Sequence, residues 1–279
     1  MEFTAVSWNL FHGRDFPPNP GLRTWRSRLL RVEERDETHV QVNRDLGREF
    51  AQLLAGARWD VALLQECPPR FERPLAQACA AEPHRVSTSR NSLGSVRSLA
   101  ARINPDLIAS GEGGSNLTLV RPGPLGRVVE RRELAIHSGR PERRAMAFTR
   151  TASGICLANL HATNDQPALA AADVLVAAEA SADWAGGAPL LFGGDLNLRP
   201  GEDPGVFEVL RERFGLEGPT GPEGIDHLLA RGLVVARPPE PWTAERRELR
   251  RGDGRALRLS DHAPIEAGFS SVPDVPGQE

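Results

Sequence analysis

A chain of 279 residues, 40% hydrophobic and 25% charged, is long enough to bury a sizeable α/β core and has an ordinary globular composition. Its formal net charge of −3 gives no support to a protein whose whole surface coats nucleic acid. No apolar run approaches the span of a membrane helix, so no membrane segment is expected.

The cysteines, Cys67, Cys79 and Cys156, have no zinc-type spacing and read as small buried hydrophobes of a reducing compartment, with a cytoplasmic location as the default. Every basic residue is Arg and Tyr is absent, a bias of genome composition rather than a sign of phosphate recognition.

The opening "MEFTAVSWNL" lacks a basic segment followed by an apolar core, so it reads as a first strand over 3–9 and not as a secretory signal. Turn chemistry follows in "GRDFPPNPG". Leu22, Trp25, Leu29 and Val32 recur at helical spacing and predict a helix packed through that stripe, with its Arg residues on a solvated face. A second helix is expected over 38–57, with Val42, Leu46, Phe50, Leu53 and Leu54 inward. "WDVALLQE" at 59–66 is a short strand ending in an acid, "RSLAARI" a short helix, and "SNLTLVRP" a strand limited by Pro122.

Three strand-like runs lie within 125–135 and 144–160, with "ASG" at 152–154 as a hairpin turn. An Ala-rich helix over 167–184 precedes the strand "APLLFGGD", and "GVFEVLRERFG" is a helix closed by Gly215. "GIDHLLARGLVVA" reads as a strand pair around Arg231-Gly232, and "APIEAGF" as the last strand. With no internal repeat or long linker, a single domain over 1–270 is expected, followed by a disordered polar tail at 271–279. Hairpins alternating with helices predict mixed sheets packed face to face with helices outside.

Several of these strands end in polar side chains able to bind a metal or a phosphate: Asn9 in "SWN", Glu66 in "LLQE", His161 in "LANLH", Asp195 and Asn197 in "GGDLN", Asp226 in "GIDH", and Asp261 with His262 in "LSDHAPI". Singly, each is more simply a turn residue, a helix cap or a satisfied structural histidine. Together they supply what metal-assisted phosphoester hydrolysis needs: hard oxygen ligands for a divalent cation, a base near neutral pKa with an orienting acid, and donors for phosphate oxygens.

The series Trp-Asn, Gln-Glu, Asn-Leu-His, Gly-Asp-Leu-Asn, Ile-Asp-His and Ser-Asp-His, in this order from Asn9 to His262, resembles the endonuclease/exonuclease/phosphatase superfamily, the DNase I-like fold. The resemblance implies a four-layer α/β/β/α sandwich of two packed mixed β-sheets flanked by helices. It implies Glu66 as principal ligand of Mg2+ or Mn2+, with Asp261 and Asn9 nearby. Asp226 would hold His262, acting as general base or as electrostatic partner of the phosphate. Asp195 would orient or activate water, and Asn197, His161 and Asn116 would contact phosphate oxygens, with Glu112 as an orienting partner for His161. His227 would face away from Asp226 on its strand, and His12 and His137 would be surface or structural residues.

The pattern departs from abasic-site nucleases of the family, which carry an acid where Phe11 stands and use a Tyr. The expected partner is a phosphoester, foremost a nucleic acid cleaved by a monomeric phosphodiesterase. The rivals are hydrolysis of a small-molecule or lipid-headgroup phosphoester and an inactive binding scaffold. The last should have lost some of Glu66, Asp195, Asn197, Asp226, Asp261 or His262, and all are present.

Overall fold

The alternation of the first strand serves two different cores. In the computed structural model, which describes residues 1–88, 102–107, 113–137 and 143–271, β1 (Glu2–Asn9) sends Phe3 and Ala5 into one hydrophobic cluster and Val6 and Trp8 into another. That is the period-two signature of a strand covered on both faces.

Elements β2 (Glu34–Arg35), β3 (Val40–Gln41), β4 (Val61–Gln65), β5 (Glu82–Ser87) and β6 (Ser115–Val120) follow in the first half, with α1 (Trp25–Leu30), α2 (Gly47–Gly56) and α3 (Glu72–Cys79) among them. The second half holds β7 (Val128–His137), β8 (Arg144–Thr151), β9 (Cys156–His161), α4 (Pro167–Ala185), β10 (Leu190–Asp195), α5 (Pro204–Phe214), β11 (Asp226–Arg231), β12 (Leu233–Pro241), α6 (Ala244–Arg247), β13 (Glu248–Arg250), β14 (Ala256–Arg258) and β15 (Ile265–Ser271).

A six-stranded sheet runs β12-β15-β1-β4-β6-β5 and a five-stranded sheet runs β11-β10-β9-β8-β7. Both are mixed: β1 with β4, and β9 with β10, are parallel, and the other pairs within the two sheets are antiparallel. Phe3, Leu63, Leu157, Leu191, Leu228 and Phe269 fill the space between the sheets. Phe50, Leu54 and Leu75 of α2 and α3 cover the outer face of the first sheet. Val174, Ala177, Leu210 and Phe214 of α4 and α5 cover that of the second. The result is the α/β/β/α sandwich expected from the sequence, and no helix among the described residues is long and apolar enough to cross a membrane.

Several expected elements differ. The stripe of α1 is not buried: Trp25 is 66% and Leu29 57% exposed. The helix docks instead through buried Ser27, whose hydroxyl donates to Gln41 Oε1. Residues 38–46 are not helical; Val40 and Gln41 form β3, and Asp45 Oδ1 accepts the Gly47 N–H at 2.9 Å, so the helix begins there. β11 and β12 are not a hairpin, because Gly232, at φ 65°, passes the chain from one sheet to the other. Both α3 and β5 went unread in the sequence. Most of "RSLAARI", Glu112 and all but Ser271 of the expected tail lie outside the described residues.

Candidate active site

Towards one edge the layer between the sheets turns polar. Gln65 Nε2 donates to Asn159 Oδ1 at 2.8 Å, and Asn159 Nδ2 donates to the Leu64 carbonyl at 3.2 Å, tying the sheets together. Asn116 belongs to this layer: its Nδ2 donates to the Ala145 carbonyl at 2.8 Å. The side chain of Asn116 is thus fully buried, with its Nδ2 committed to backbone as a tie between sheets and its Oδ1 without a hydrogen-bond partner among the described residues.

Above that layer, strand register assembles the site. Asp195, the last residue of β10, pairs with His161 of β9 on one side and Asp226 of β11 on the other. His161 Nε2 lies 3.6 Å and His262 Nε2 3.9 Å from Asp195 Oδ2. From the opposite sheet, Asn9 Nδ2 donates to the same oxygen at 2.9 Å, while its Oδ1 accepts the Phe11 N–H at 2.9 Å. Burial, followed by the neighbouring Asp226 charge, pushes the Asp195 carboxyl up to about 6.

The glycines of "GGDLN" permit a close approach. Gly194 has φ 133°, and a methyl group on it would overlap the Leu160 carbonyl oxygen of β9. Leu196 returns to the core. Asn197 adopts φ 52°; its N–H caps Asp195 Oδ1 at 3.2 Å and its Nδ2 donates to the Ala162 carbonyl at 3.1 Å.

His262 Nδ1 and Asp226 Oδ2 are 2.7 Å apart. Burial lowers the affinity of His262 for a proton, but the charges of Asp226, Asp195 and Asp261 outweigh it and carry the imidazole up to about 10. Ser260, at φ 61°, sets the loop by donating to the Asn9 carbonyl at 2.6 Å and accepting the His262 N–H at 3.1 Å. Facing atoms of Asp195, Asp226 and His262 fall within 4.8 Å of one another. Because His262 is hydrogen-bonded to Asp226, this cluster is a proton-holding one and a poor cation cage.

Oxygen donors for a divalent ion gather beside it. Glu66 leaves β4 at φ 47°, and burial, then Asp195 and Asp261, push it up to about 7. A carboxyl raised by neighbouring acids is a donor that a hard cation neutralises, and Glu66, Asp261 and the Asn9 carbonyl oxygen have the chemistry to hold Mg2+ or Mn2+.

Two neighbours escaped the sequence reading. His12, expected at the surface or in a structural role, has its Nε2 3.2 Å from Glu66 Oε2, and burial, then Arg14, Arg144 and Arg70, lower it to about 3. His12 is therefore a neutral neighbour of Glu66. Arg144, at the start of β8, has Nη1 3.4 Å from His161 Nδ1. Burial and then Arg144 hold His161 well below its ordinary pKa, so its Nδ1 accepts and its Nε2–H faces the site. His227 faces away, as expected, with Nε2 3.0 Å from the Leu198 carbonyl. His137 is structural, 3.4 Å from Thr163 Oγ1.

A sequence model of the Endonuclease/Exonuclease/phosphatase family matches residues 6–262. No curated protein matches the chain. Among solved structures, an endonuclease/exonuclease/phosphatase family protein from Bacteroides thetaiotaomicron superposes with TM-score 0.63 at 13% identity, over 98% of each chain. A mannosyl-6-phosphatase of the same organism gives 0.62 at 14% identity, over 96% of this chain and 99% of that one. Truncated TDP2 of Caenorhabditis elegans gives 0.59 at 17% identity, over 97% and 98%. At such identities the likeness is one of fold.

Proposed function

The chain belongs to the endonuclease/exonuclease/phosphatase family, and on that premise we propose that it is a Mg2+- or Mn2+-dependent phosphodiesterase acting on nucleic acid. The observation that carries the reading is Asp195, registered between His161 and Asp226 and joined by Asn9 from the other sheet. That arrangement aims a carboxylate and two imidazoles at one place.

Asp195 orients the attacking water and takes its proton; a carboxyl raised to about 6 is a base matched to neutral pH. His262, charged through Asp226, acts as the electrostatic partner of the phosphate; an imidazolium has no lone pair with which to be the base. His161 Nε2–H and the remaining N–H of Asn197 donate to equatorial oxygens, and Asn116 supports the wall behind them. As water oxygen bonds to phosphorus, the bond to the leaving oxygen breaks in line. Glu66, Asp261 and Asn9 would hold the cation, which when bound neutralises phosphate charge and stabilises the leaving oxygen.

The protein acts as one catalytic domain over 1–270 and as a monomer. Its thiols, all buried and free, support a reducing compartment, the cytoplasm.

Assay of the purified protein with Mg2+ and Mn2+ tests this against bis-p-nitrophenyl phosphate, p-nitrophenyl phosphate, single- and double-stranded DNA, RNA and phospholipid headgroups. Preference for diesters with cleavage of DNA or RNA is expected. Hydrolysis of monoesters alone would transfer the chain to the phosphatases, and turnover of none would make it a binding scaffold.

A further inference from the structure

A separate cleft opens beside the candidate metal ligands. It has a volume of about 370 Å³ and is lined in part by Phe11, Phe16, Arg14, Arg23, Arg28 and Asp15. Its wall is shared with the site: the Arg14 carbonyl accepts the Ser260 N–H at 3.0 Å, next to Asp261, and the Phe11 N–H is bonded to Asn9. Burial lowers the Arg14 guanidinium, opposed by the charges of Asp106, Glu66 and Asp261.

Two of the three arginines are held over aromatic rings. The Arg14 guanidinium lies 3.7 Å from the centre of the Phe11 ring, and that of Arg23 4.1 Å from the centre of Phe16. Among the described residues, no carboxylate forms an ion pair with Arg14, Arg23 or Arg28. Of the acids in the lining, Asp106 acts on the charges of Arg14 and Arg28, and burial raises its own carboxyl. Asp106 accepts from Gln41 at 3.0 Å. Asp15 is 4% exposed, accepts the Val42 N–H through Oδ2 at 2.9 Å, and keeps a buried Oδ1 with no partner among the described residues. Burial pushes Asp15 up to about 8, so at neutral pH it is an uncharged acid with an O–H to give.

Three guanidinium groups, a buried polar atom without a partner and a volume larger than a single phosphate make a preformed anion site one wall away from the reacting centre. We infer that this cleft binds a second phosphate group of the substrate, one that the reaction does not cleave, so that the preferred substrates carry two phosphates on one small unit such as a nucleotide. The inference rests on the phosphoester-hydrolase reading for the role of the first phosphate.

The test is a calorimetric titration in EDTA, where no turnover occurs, with thymidine 3′,5′-bisphosphate and thymidine 5′-monophosphate as probes. The wild type should bind the bisphosphate at least about tenfold more tightly, the scale of one charge-assisted contact. In the Arg23→Ala/Arg28→Ala variant that gap should shrink to less than about threefold. Both side chains are exposed, so the variant should melt with the wild type. Equal affinity of the wild type for the probes, or an undiminished gap in the variant, overturns the inference. In parallel, thymidine 5′-(p-nitrophenyl phosphate), with and without a 3′-phosphate, is assayed with Mn2+. A higher kcat/KM for the 3′-phosphorylated ester is expected in the wild type only. Failure to hydrolyse either ester counts against the hydrolase reading alone, because the titration decides the anion site without turnover.

Discussion

His262 Nδ1 stands 2.7 Å from Asp226 Oδ2, and the other oxygen of Asp226 is buried without a hydrogen-bond partner among the described residues. The short contact makes the pair a held charge. A histidine raised from 6.5 to about 10 contributes stability that is complete below the lower value and disappears as pH rises through the upper one. In metal-free protein, the His262 ring should therefore remain protonated through neutral pH by NMR titration, and Asp226→Asn should return it towards the ordinary histidine range. The same substitution should lower turnover by about 10²–10⁴-fold while the protein stays folded. A wild-type His262 titrating near 6.5 would remove the imidazolium from the mechanism.

The carboxylates have the same sign of linkage, in a lower pH window. Glu66, raised to about 7, and Asp195, raised to about 6, bind protons more tightly in the folded chain. The metal-free protein therefore loses stability as pH rises from the ordinary carboxylate range through those values. A cation replaces the protons, so it should be worth more once they have gone. Mn2+ should raise the melting temperature more at about pH 8 than at about pH 5, and Glu66→Ala should abolish most of the difference. EDTA should abolish activity and added Mg2+ or Mn2+ restore it. Equal thermal shifts at both pH values would mean that the ion binds elsewhere.

Asp195 carries the strongest prediction for activity. Its carboxylate is 2% exposed and holds Asn9 and the Asn197 N–H. Asp195→Ala should reduce turnover by several orders of magnitude, to about the level left by substrate binding alone. Asp195→Asn keeps the shape but cannot take the proton, and should be almost as inactive. Near-normal kcat in purified, folded Asp195→Asn would transfer the base role to another group.

How much of this was legible in the chain depended on how far each residue's partner lies from its own strand. Asn9, Glu66, His161, Asp195 and Asp261 could be read because polar residues at the ends of apolar strands are locally costly, and parallel pairing brings such ends to one edge. His12 could not, because it reaches Glu66 only through φ values of 48° and 53° at Phe11 and His12, which fold the loop back. Arg144 sits beside His161 because β8 and β9 pair, with Met146 opposite Leu160, and its sequence neighbours say nothing of that. Asn116 had the right type in the right motif, and only the second sheet reveals that backbone carbonyls occupy its Nδ2. The sheet change at Gly232 looks like a hairpin in sequence because the same turn residue serves both.

The first helix tests this from the other side. Periodicity put Trp25 and Leu29 in a core, and the fold leaves both in water. Trp25→Ser should therefore change stability by no more than about 0.5 kcal/mol, as for a surface position. Ser27→Leu should cost more, because it removes a buried hydroxyl from Gln41 and inserts a larger side chain. Denaturant melts of the two variants decide it, and a larger loss for Trp25→Ser would place the helix on its apolar face after all.

Gly194 sets the tightest steric condition on the site. Its φ of 133° disfavours any L side chain, and a methyl group there would meet the Leu160 carbonyl in the parallel partner strand. That partner strand also carries His161, which pairs with Asp195 directly beyond the glycine. Relief of the clash must therefore push β9 and β10 apart at the place where imidazole and carboxylate need to stay within 3.6 Å. Gly194→Ala should cost about 3 kcal/mol or more, the sum of a strained backbone and an overpacked contact. Gly193→Ala should also destabilise, since the added methyl group would press on the His227 carbonyl of β11, but it spares the His161 side. If both variants fold, Gly194→Ala should lose more activity than Gly193→Ala at equal stability, because only the first alters the spacing of His161 and Asp195. Similar kcat values for the two would show that the spacing of these strands has no part in setting the catalytic geometry.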